Sequence, residues 1–409
     1  MKTLLITLDF PPLIGGVANY YFNRVKVMAG KGDEMAVLAP TFVIPAQAGI
    51  QARKNWIRLH ENGDQVGDDN KEIKIYRKNF FTNFFWPHWL PLIWQIYKIV
   101  KKEKINRLWV GQILPVGTAV WIVCKFCNLF CHPRASEDPL NQRDSRFRGN
   151  DIRKQDDKKF SFFITCHGND LLRAKNNQRK FKIAKRILRD AELVEANTEF
   201  TKNILINDFD IGLEKIKIVY PVNTLTREMV DQKKVSELKE KYNLANKKVL
   251  LTVARLVESK GIDKVIQALP KVFEKIPDLV YLIVGNGPYQ SELLRISAES
   301  SRINNKIIFV GSVPHEELPN YYALANTFIL NPRNYAGFKI SANVLNGFKP
   351  VPDTESFGIV YLEAKEFGLP IIAGNVGGAS EIAKNYNQMH LIDSENQEEI
   401  IEKIIEIIK

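Results

Sequence analysis

A chain of 409 residues is too long for one ordinary hydrophobic core and fits two domains of usual size. Its 45% apolar and 25% charged residues are the composition of a folded soluble protein. The net charge of +12 calls for an anionic partner but does not choose among nucleic acid, an anionic membrane surface and a phosphorylated substrate.

The opening run Thr3 to Leu8 is interrupted by Asp9, Pro11 and Pro12, too early for a secretory core and at the right length for a buried parallel strand. A strand over Leu4–Leu8 is therefore expected, followed by the turn to Gly15-Gly16, a helix from near Val17 and a second strand over Met35–Ala39. The segment Phe80–Trp94 is rich in aromatics and leads into Lys98, Lys101, Lys102 and Lys104. It reads equally as an interfacial membrane helix and as a core helix with a solvated basic end. The apolar stretch Leu108 to Cys131 is broken by Gln112, Pro115 and glycines, so a strand turning into a buried helix describes it better than a membrane span. Cys124, Cys127, Cys131 and His132 have metal-like spacing, but the three cysteines share one apolar helix face. With no second liganding cluster, core thiols and no metal are expected. The uneven cysteine placement implies no disulfide framework and suits a reducing cytoplasm.

Phe160–Thr165 reads as another strand, with Cys166-His167-Gly168-Asn169-Asp170 at its C-terminal end, the edge at which open α/β sheets bind ligands. His167 there can hydrogen-bond a hydroxyl or phosphate, although a lone histidine is more commonly structural. The rhythm restarts with strands over Val249–Val253, Val280–Val284, Ile307–Val310, Thr327–Leu330 and Pro370–Ala373, and helices over Ile262–Ile276 and Ile359–Phe367. Two domains follow, over 1–223 and 224–409. The stretches 42–70, 132–159 and 334–350 break the pattern and read as insertions, two of them similar to translated bacterial repeat elements.

Three clusters in the second domain carry chemistry. Arg255 and Lys260, between a strand and a helix, can converge on a diphosphate; a solvated loop is the bland alternative. Glu355 precedes a helix and Glu363 lies on it, with Phe357, Gly358 and Ile359 offering backbone N–H groups at its positive end. The carboxylates suit sugar or ribose hydroxyls, and two ordinary surface glutamates fit the same residues. Gly15-Gly16 and Gly285-Asn286-Gly287 lack the full dinucleotide spacing, which counts against a nicotinamide dehydrogenase.

Together the motifs Phe10 to Gly16, Cys166-His167-Gly168, Ala254-Arg255-Leu256 with Lys260-Gly261, and Glu355 to Glu363 resemble, in order, those of the retaining GT-B glycosyltransferases of family 4. The nearest look is to bacterial phosphatidylinositol-mannoside mannosyltransferases and capsule or lipopolysaccharide enzymes; Gly374 to Glu381 also matches. The resemblance implies two Rossmann-like parallel-sheet domains facing a cleft. Gly16 then approaches the donor phosphates, Arg255 and Lys260 bind the diphosphate, and Glu355 holds the sugar. Phe357, Gly358 and Ile359 supply N–H groups, Glu363 binds the ribose, and His167 contacts the sugar from across the cleft. It further implies a GDP- or UDP-linked hexose donor (GDP-mannose among them), a lipid-linked or glycan acceptor, peripheral contact with the inner face of the cell membrane, and no further cofactor or metal. The segment Tyr220-Pro221-Val222-Asn223 departs from the family pattern, and the chain stops at Lys409 after a helix over Gln397–Ile408 where relatives continue. A weakened or inactive relic is the alternative those features suggest. A sugar-nucleotide epimerase is disfavoured by the paired glutamates. A nucleic-acid partner needs a coherent basic face, and much of the charge falls in the suspected insertions.

Overall fold

The structure is a computed structural model that describes residues 1–11, 16–41, 73–82, 86–130, 160–299, 305–333 and 355–409. The suspected insertions at 42–70, 132–159 and 334–350 lie outside the described residues, as do Gly15, Cys131 and His132. The described chain divides into two compact units without a single cut. The first comprises Met1–Cys166, Arg179–Glu195 and Ile211–Lys217, and the second His167–Gln178, Ala196–Asp210 and Ile218–Lys409.

The elements of the N-terminal half are β1 (Lys2–Ile6), α1 (Gly16–Gly30), β2 (Glu34–Pro40), β3 (Lys74–Lys78), α2 (Leu90–Glu103), β4 (Arg107–Val110), α3 (Thr118–Phe130), β5 (Ser161–Cys166), α4 (Asn169–Lys175), α5 (Gln178–Asp190), β6 (Leu193–Ala196), α6 (Glu199–Asn207) and β7 (Ile216–Ile218). They build a seven-stranded sheet in the order β3-β2-β1-β4-β5-β6-β7. Helix α1 buries Ala18, Tyr21, Val25 and Ala29, a helical stripe of three- and four-residue steps, the last three of them with Leu5, Val37, Trp109 and Phe163 in one core. Strand β6 carries a buried Glu195, which the apolar pattern alone forbids. Arg24 reaches it at 2.9 Å and Thr165 donates to it at 2.9 Å, so the charge is paired.

The C-terminal half runs α7 (Gln232–Lys241), β8 (Lys248–Val253), α8 (Ile262–Lys275), β9 (Leu279–Val284), α9 (Gln290–Glu299), β10 (Ile307–Gly311), α10 (Leu318–Leu324), β11 (Thr327–Leu330), α11 (Ile359–Glu366), β12 (Ile371–Gly374), α12 (Ala379–Ala383), β13 (Met389–Ile392) and α13 (Gln397–Ile408). Its six-stranded sheet has the order β10-β9-β8-β11-β12-β13, and all five neighbouring pairs are parallel. Alternation decides the faces: Val280, Leu282 and Val284 of β9 enter one core, and Leu279, Tyr281 and Ile283 the other. Helix α13 closes the second core with Ile400, Ile401, Ile404 and Ile408.

Strand order reverses between β8 and β11, so the loops leaving their C-terminal ends diverge and open a crevice there. In the first sheet the reversal lies between β1 and β4. Among the described residues no helix is long and apolar enough to cross a membrane. The aromatic segment splits instead: Phe80 is buried, and the helix α2 begins only at Leu90 and carries Lys98, Lys101 and Lys102. Cys124 and Cys127 are buried free thiols on α3, and burial pushes the Cys124 thiol up.

Candidate functional site

The loop leaving β8 runs through Ala254, Arg255 and Leu256 into a short 3₁₀ turn, Glu258–Lys260, and then α8. Gly261 makes that junction possible. Its φ is +63°, and a Cβ there would sit 1.8 Å from the Asn331 carbonyl oxygen, so the two diverging loops touch backbone to side chain-free backbone. Arg333, just past β11, fastens the same turn. Its N–H donates to the Ser259 carbonyl at 3.0 Å, and its guanidinium lies 3.0 Å from Asp263 and 3.5 Å from Glu258.

On the crevice side, Lys260 Nζ meets Glu355 Oε2 at 2.5 Å, joining two motifs 95 residues apart in the chain. Both side chains are largely withdrawn from solvent, at 17% and 13% exposure. Arg255 is exposed on the same loop. Glu355 leads through Ser356 and Phe357, both buried, to Gly358, which caps α11 at Ile359 without a side-chain hydrogen bond. Phe357 packs on Tyr220, ring centroids 6.2 Å apart.

The Glu355–Ser356 backbone rests on Gly377-Gly378. Gly378 N–H donates to the Glu355 carbonyl at 3.3 Å, and Gly377 approaches that same carbonyl too closely for any side chain. Glu381, on the helix that follows, accepts hydrogen bonds from Glu199 N–H and Phe200 N–H, each 2.9 Å, at the start of α6. His167 lies beside these residues: a Cβ on Gly168 would be 2.8 Å from Ser356 Oγ, a buried hydroxyl with no hydrogen-bond partner among the described residues. His167 N–H donates to Asp170 Oδ1 at 3.0 Å. Burial lowers the His167 pKa to about 4, so its ring is neutral at neutral pH, and raises that of Asp170 to about 6 against the N–H bonds from His167 and Leu171.

Glu363 is placed differently from an open ribose contact. It is 2% exposed and its Oε2 accepts from Tyr322 Oη at 2.7 Å. Burial pushes its pKa up to about 7, with the tyrosine bond opposing. Because the folded value stands above the unfolded one, stability from this group is complete below about pH 4, where an unfolded glutamate titrates. It declines as pH rises and is lost past about pH 7. Glu363→Gln, neutral throughout and still an acceptor for Tyr322, is expected to remove that decline. In thermal melts across pH 5 to 8 the variant should gain on wild type by about 3 kcal/mol toward the alkaline end.

Gly16 opens α1 in the first unit, after β1 and at that sheet's own strand-order reversal. Thus the second unit gathers Lys260, Glu355, Ser356 and the His167–Gly168 turn, while Glu363 sits in its core. Arg333, Ser356, Tyr322 and Glu381 were not singled out as functional from sequence. Only Arg333 carries a usable signal, its place immediately after a strand at the switch point. Among the described residues no group of three or more His, Cys, Asp or Glu is arranged to hold a metal.

Two α/β units with parallel sheets and ligand-edge loops of this kind define the GT-B glycosyltransferase fold, and residues 234–409 match the family model "Glycosyl transferases group 1". The family match thus covers most of the second unit, and the likeness of fold extends over the whole chain. It is similar to the GDP-mannose-dependent alpha-(1-6)-phosphatidylinositol monomannoside mannosyltransferase of Mycolicibacterium smegmatis, 29% identical over 383 residues that cover 92% of this chain and 81% of that one. The Mycobacterium tuberculosis enzyme of the same name is 23% identical, covering 100% and 89%. Among solved structures, the Anabaena protein HepE in complex with UDP and glucose superposes with a TM-score of 0.65 at 16% identity, covering 100% of this chain and 90% of that one. Sucrose-phosphate synthase from Thermosynechococcus elongatus gives 0.66 at 17% identity, covering 99% and 89%.

Proposed function

We propose that the protein transfers a hexose from a nucleoside-diphosphate sugar to a lipid or glycan hydroxyl with retention of configuration, and that GDP-mannose is the donor. The observation that carries the reading is the Lys260–Glu355 pair at the strand-order reversal, a cation and a carboxylate side by side where an α/β sheet binds its ligand. The donor sugars named for the mycobacterial relatives support the choice of mannose.

In this reading Lys260 and Arg255 receive the diphosphate. As the anomeric bond breaks, negative charge grows on the leaving phosphate, and cations already in place stabilise it without reorganising. Glu355 accepts hydrogen bonds from sugar hydroxyls, held to its line by Gly377 and Gly378. The N–H groups of Phe357, Gly358 and Ile359 face the phosphate end at the α11 N-terminus. His167, neutral at working pH, donates to or accepts from a sugar hydroxyl. Gly16 approaches the phosphates, while Glu363, buried against Tyr322, supports the α11 helix from within the core. The acceptor oxygen bonds to the anomeric carbon on the face the diphosphate leaves, and its proton goes to the departing phosphate oxygen. No metal or further cofactor takes part.

Transfer of labelled hexose from GDP-mannose or UDP-glucose into bacterial membrane lipids and glycans tests this. Product from GDP-mannose with an α-linkage, formed equally in EDTA, is the expected result. A β-linked product, or turnover of UDP-glucose alone, contradicts the proposal.

A further inference from the structure

The turn that presents Lys260 is only three residues long and is weakly held by its own backbone. Lys260 N–H donates to the Val257 carbonyl at 3.1 Å, and Gly261 N–H to that of Glu258 at 3.1 Å. A side chain aimed from so short a 3₁₀ turn takes its direction from whatever fastens the turn to the rest of the unit. Arg333 supplies that fastening from the end of β11. Its backbone N–H donates to the carbonyl of Ser259, the residue before Lys260, at 3.0 Å. Its Nη2 lies 3.0 Å from Asp263 Oδ2 and 3.5 Å from Glu258 Oε1, so one guanidinium grips an acid on each side of Lys260.

Arg333 is itself firmly seated. Asn331, two residues before it, is buried and donates from Nδ2 to the Ser394 carbonyl at 3.0 Å, and Ser394 Oγ donates to the Pro332 carbonyl. The side chains of Arg333 and Asp263 are 11% and 9% exposed. Burial disfavours the charge on Arg333, and Asp263 with Glu258 more than offsets that. The guanidinium also matters for the acids. Without it, Glu258 and Asp263 would stand unpaired beside the loop that receives the diphosphate in the reading above, repelling that anion and competing with it for Lys260. Glu395, 3.9 Å from Nη1 and 57% exposed, adds little.

We propose that Arg333 is a positioning residue for the diphosphate site. It holds the Glu258–Lys260 turn so that Lys260 Nζ stands at Glu355, and it neutralises the two acids that flank that lysine. The inference rests on the assignment of Lys260 to the diphosphate under the proposed function, and it has Arg333 act through Lys260 rather than on the ligand. A clamp that served stability alone would lower the melting temperature and leave the action of Lys260 untouched. A positioning residue is different: once the lysine is gone, its own loss has nothing further to remove. Arginine is the residue type this task needs, because its planar fork reaches two carboxylates where a lysine offers one point charge.

The experiment is calorimetric titration of the full chain with GDP, together with labelled-hexose transfer, for Arg333→Met and Arg333→Lys in the wild-type and Lys260→Ala backgrounds. Arg333→Met keeps an unbranched side chain and removes the charge. It is expected to weaken GDP binding about tenfold and to lower transfer by about tenfold or more, with Arg333→Lys recovering part of each. In Lys260→Ala the same substitution should lower transfer by about twofold at most. Asp263→Asn should follow Arg333→Met at smaller amplitude, and it carries the test if circular dichroism shows Arg333→Met unfolded. Arg295→Met is the control: it takes a guanidinium from Glu292 and Glu299 on α9 of the same unit and should leave GDP binding as in wild type. Wild-type GDP affinity in folded Arg333→Met, or an equal loss of transfer in both backgrounds, would overturn the proposal. Wild-type protein that binds no nucleoside diphosphate would overturn the donor reading and this inference with it, whereas binding that needs Lys260 but not Arg333 overturns the inference alone.

Discussion

Lys260→Ala is expected to lower hexose transfer by about two to three orders of magnitude, the usual loss when one preorganised partner of a developing anion is removed. The side chain stands 2.5 Å from Glu355, so the substitution also leaves a mostly withdrawn carboxylate without its cation. A fully buried pair broken this way loses several kcal/mol; with some solvent on both groups, about 1–2 kcal/mol is expected here. The two effects separate in a pair of variants. Glu355→Gln keeps Lys260 and should retain nucleoside-diphosphate binding while losing transfer. Lys260→Ala should lose both, and adding Arg255→Ala should deepen the loss. Calorimetry for binding and labelled-sugar transfer for turnover distinguish them. Lys260→Ala with wild-type nucleotide affinity would remove the lysine from the diphosphate site.

Gly377→Ala should produce a large loss of stability at the site. Gly377 has φ +57°, and an added Cβ would lie 1.7 Å from the Glu355 carbonyl oxygen and 2.8 Å from its carbon. The obstacle is backbone, so no rotamer change relieves it. Left-handed strain of about 1–2 kcal/mol and overpacking of about 1–3 kcal/mol then add, and the Gly378–Glu355 bond is pushed apart. The melting temperature should fall by several degrees and donor binding should go with it. Gly30→Ala is the matched control, because nothing lies within 4 Å of its added Cβ. A Gly377→Ala protein that melts with wild type would mean that this glycine does not hold the Glu355 segment.

Much of the architecture was legible because buried parallel strands are short apolar runs. Thr327–Leu330 and Gln397–Ile408 occur with the expected limits, and β8, β9 and β12 begin or end within one residue of theirs. Strands β3, β6 and β7 were missed for physical reasons. Lys-Ile-Tyr-Arg-Lys at a sheet edge has no apolar run, and β7 is three residues long with Lys217 in its middle. In β6 the run is cut by Glu195, whose stabilising partner Arg24 is 171 residues away. Helix α5 was hidden by its own charge, having only a narrow buried face. Its six cations also show that a coherent basic surface exists outside the suspected insertions.

The site was legible as separate motifs rather than as an assembly. Arg255-to-Lys260 and Glu355-to-Glu363 stand out for their spacing, but nothing local says that Lys260 and Glu355 pair. That contact follows from β8 and β11 being neighbours at the strand-order reversal. The burial of Glu363 is equally non-local. Its partner Tyr322 is on α10, and the packing around both residues, not the helix that carries Glu363, raises its pKa. Gly377-Gly378 and Glu381 likewise matched a motif without revealing that the first two support Glu355 and the last caps α6.

Titration calorimetry of the full chain with GDP, UDP and ADP tests the central claim most directly. GDP is predicted to bind in preference to UDP and ADP, with affinity lost in Lys260→Ala and retained in Glu355→Gln. Binding of none of the three by folded protein, or binding indifferent to Lys260→Ala, would contradict a nucleotide-sugar site at the β8–β11 crevice.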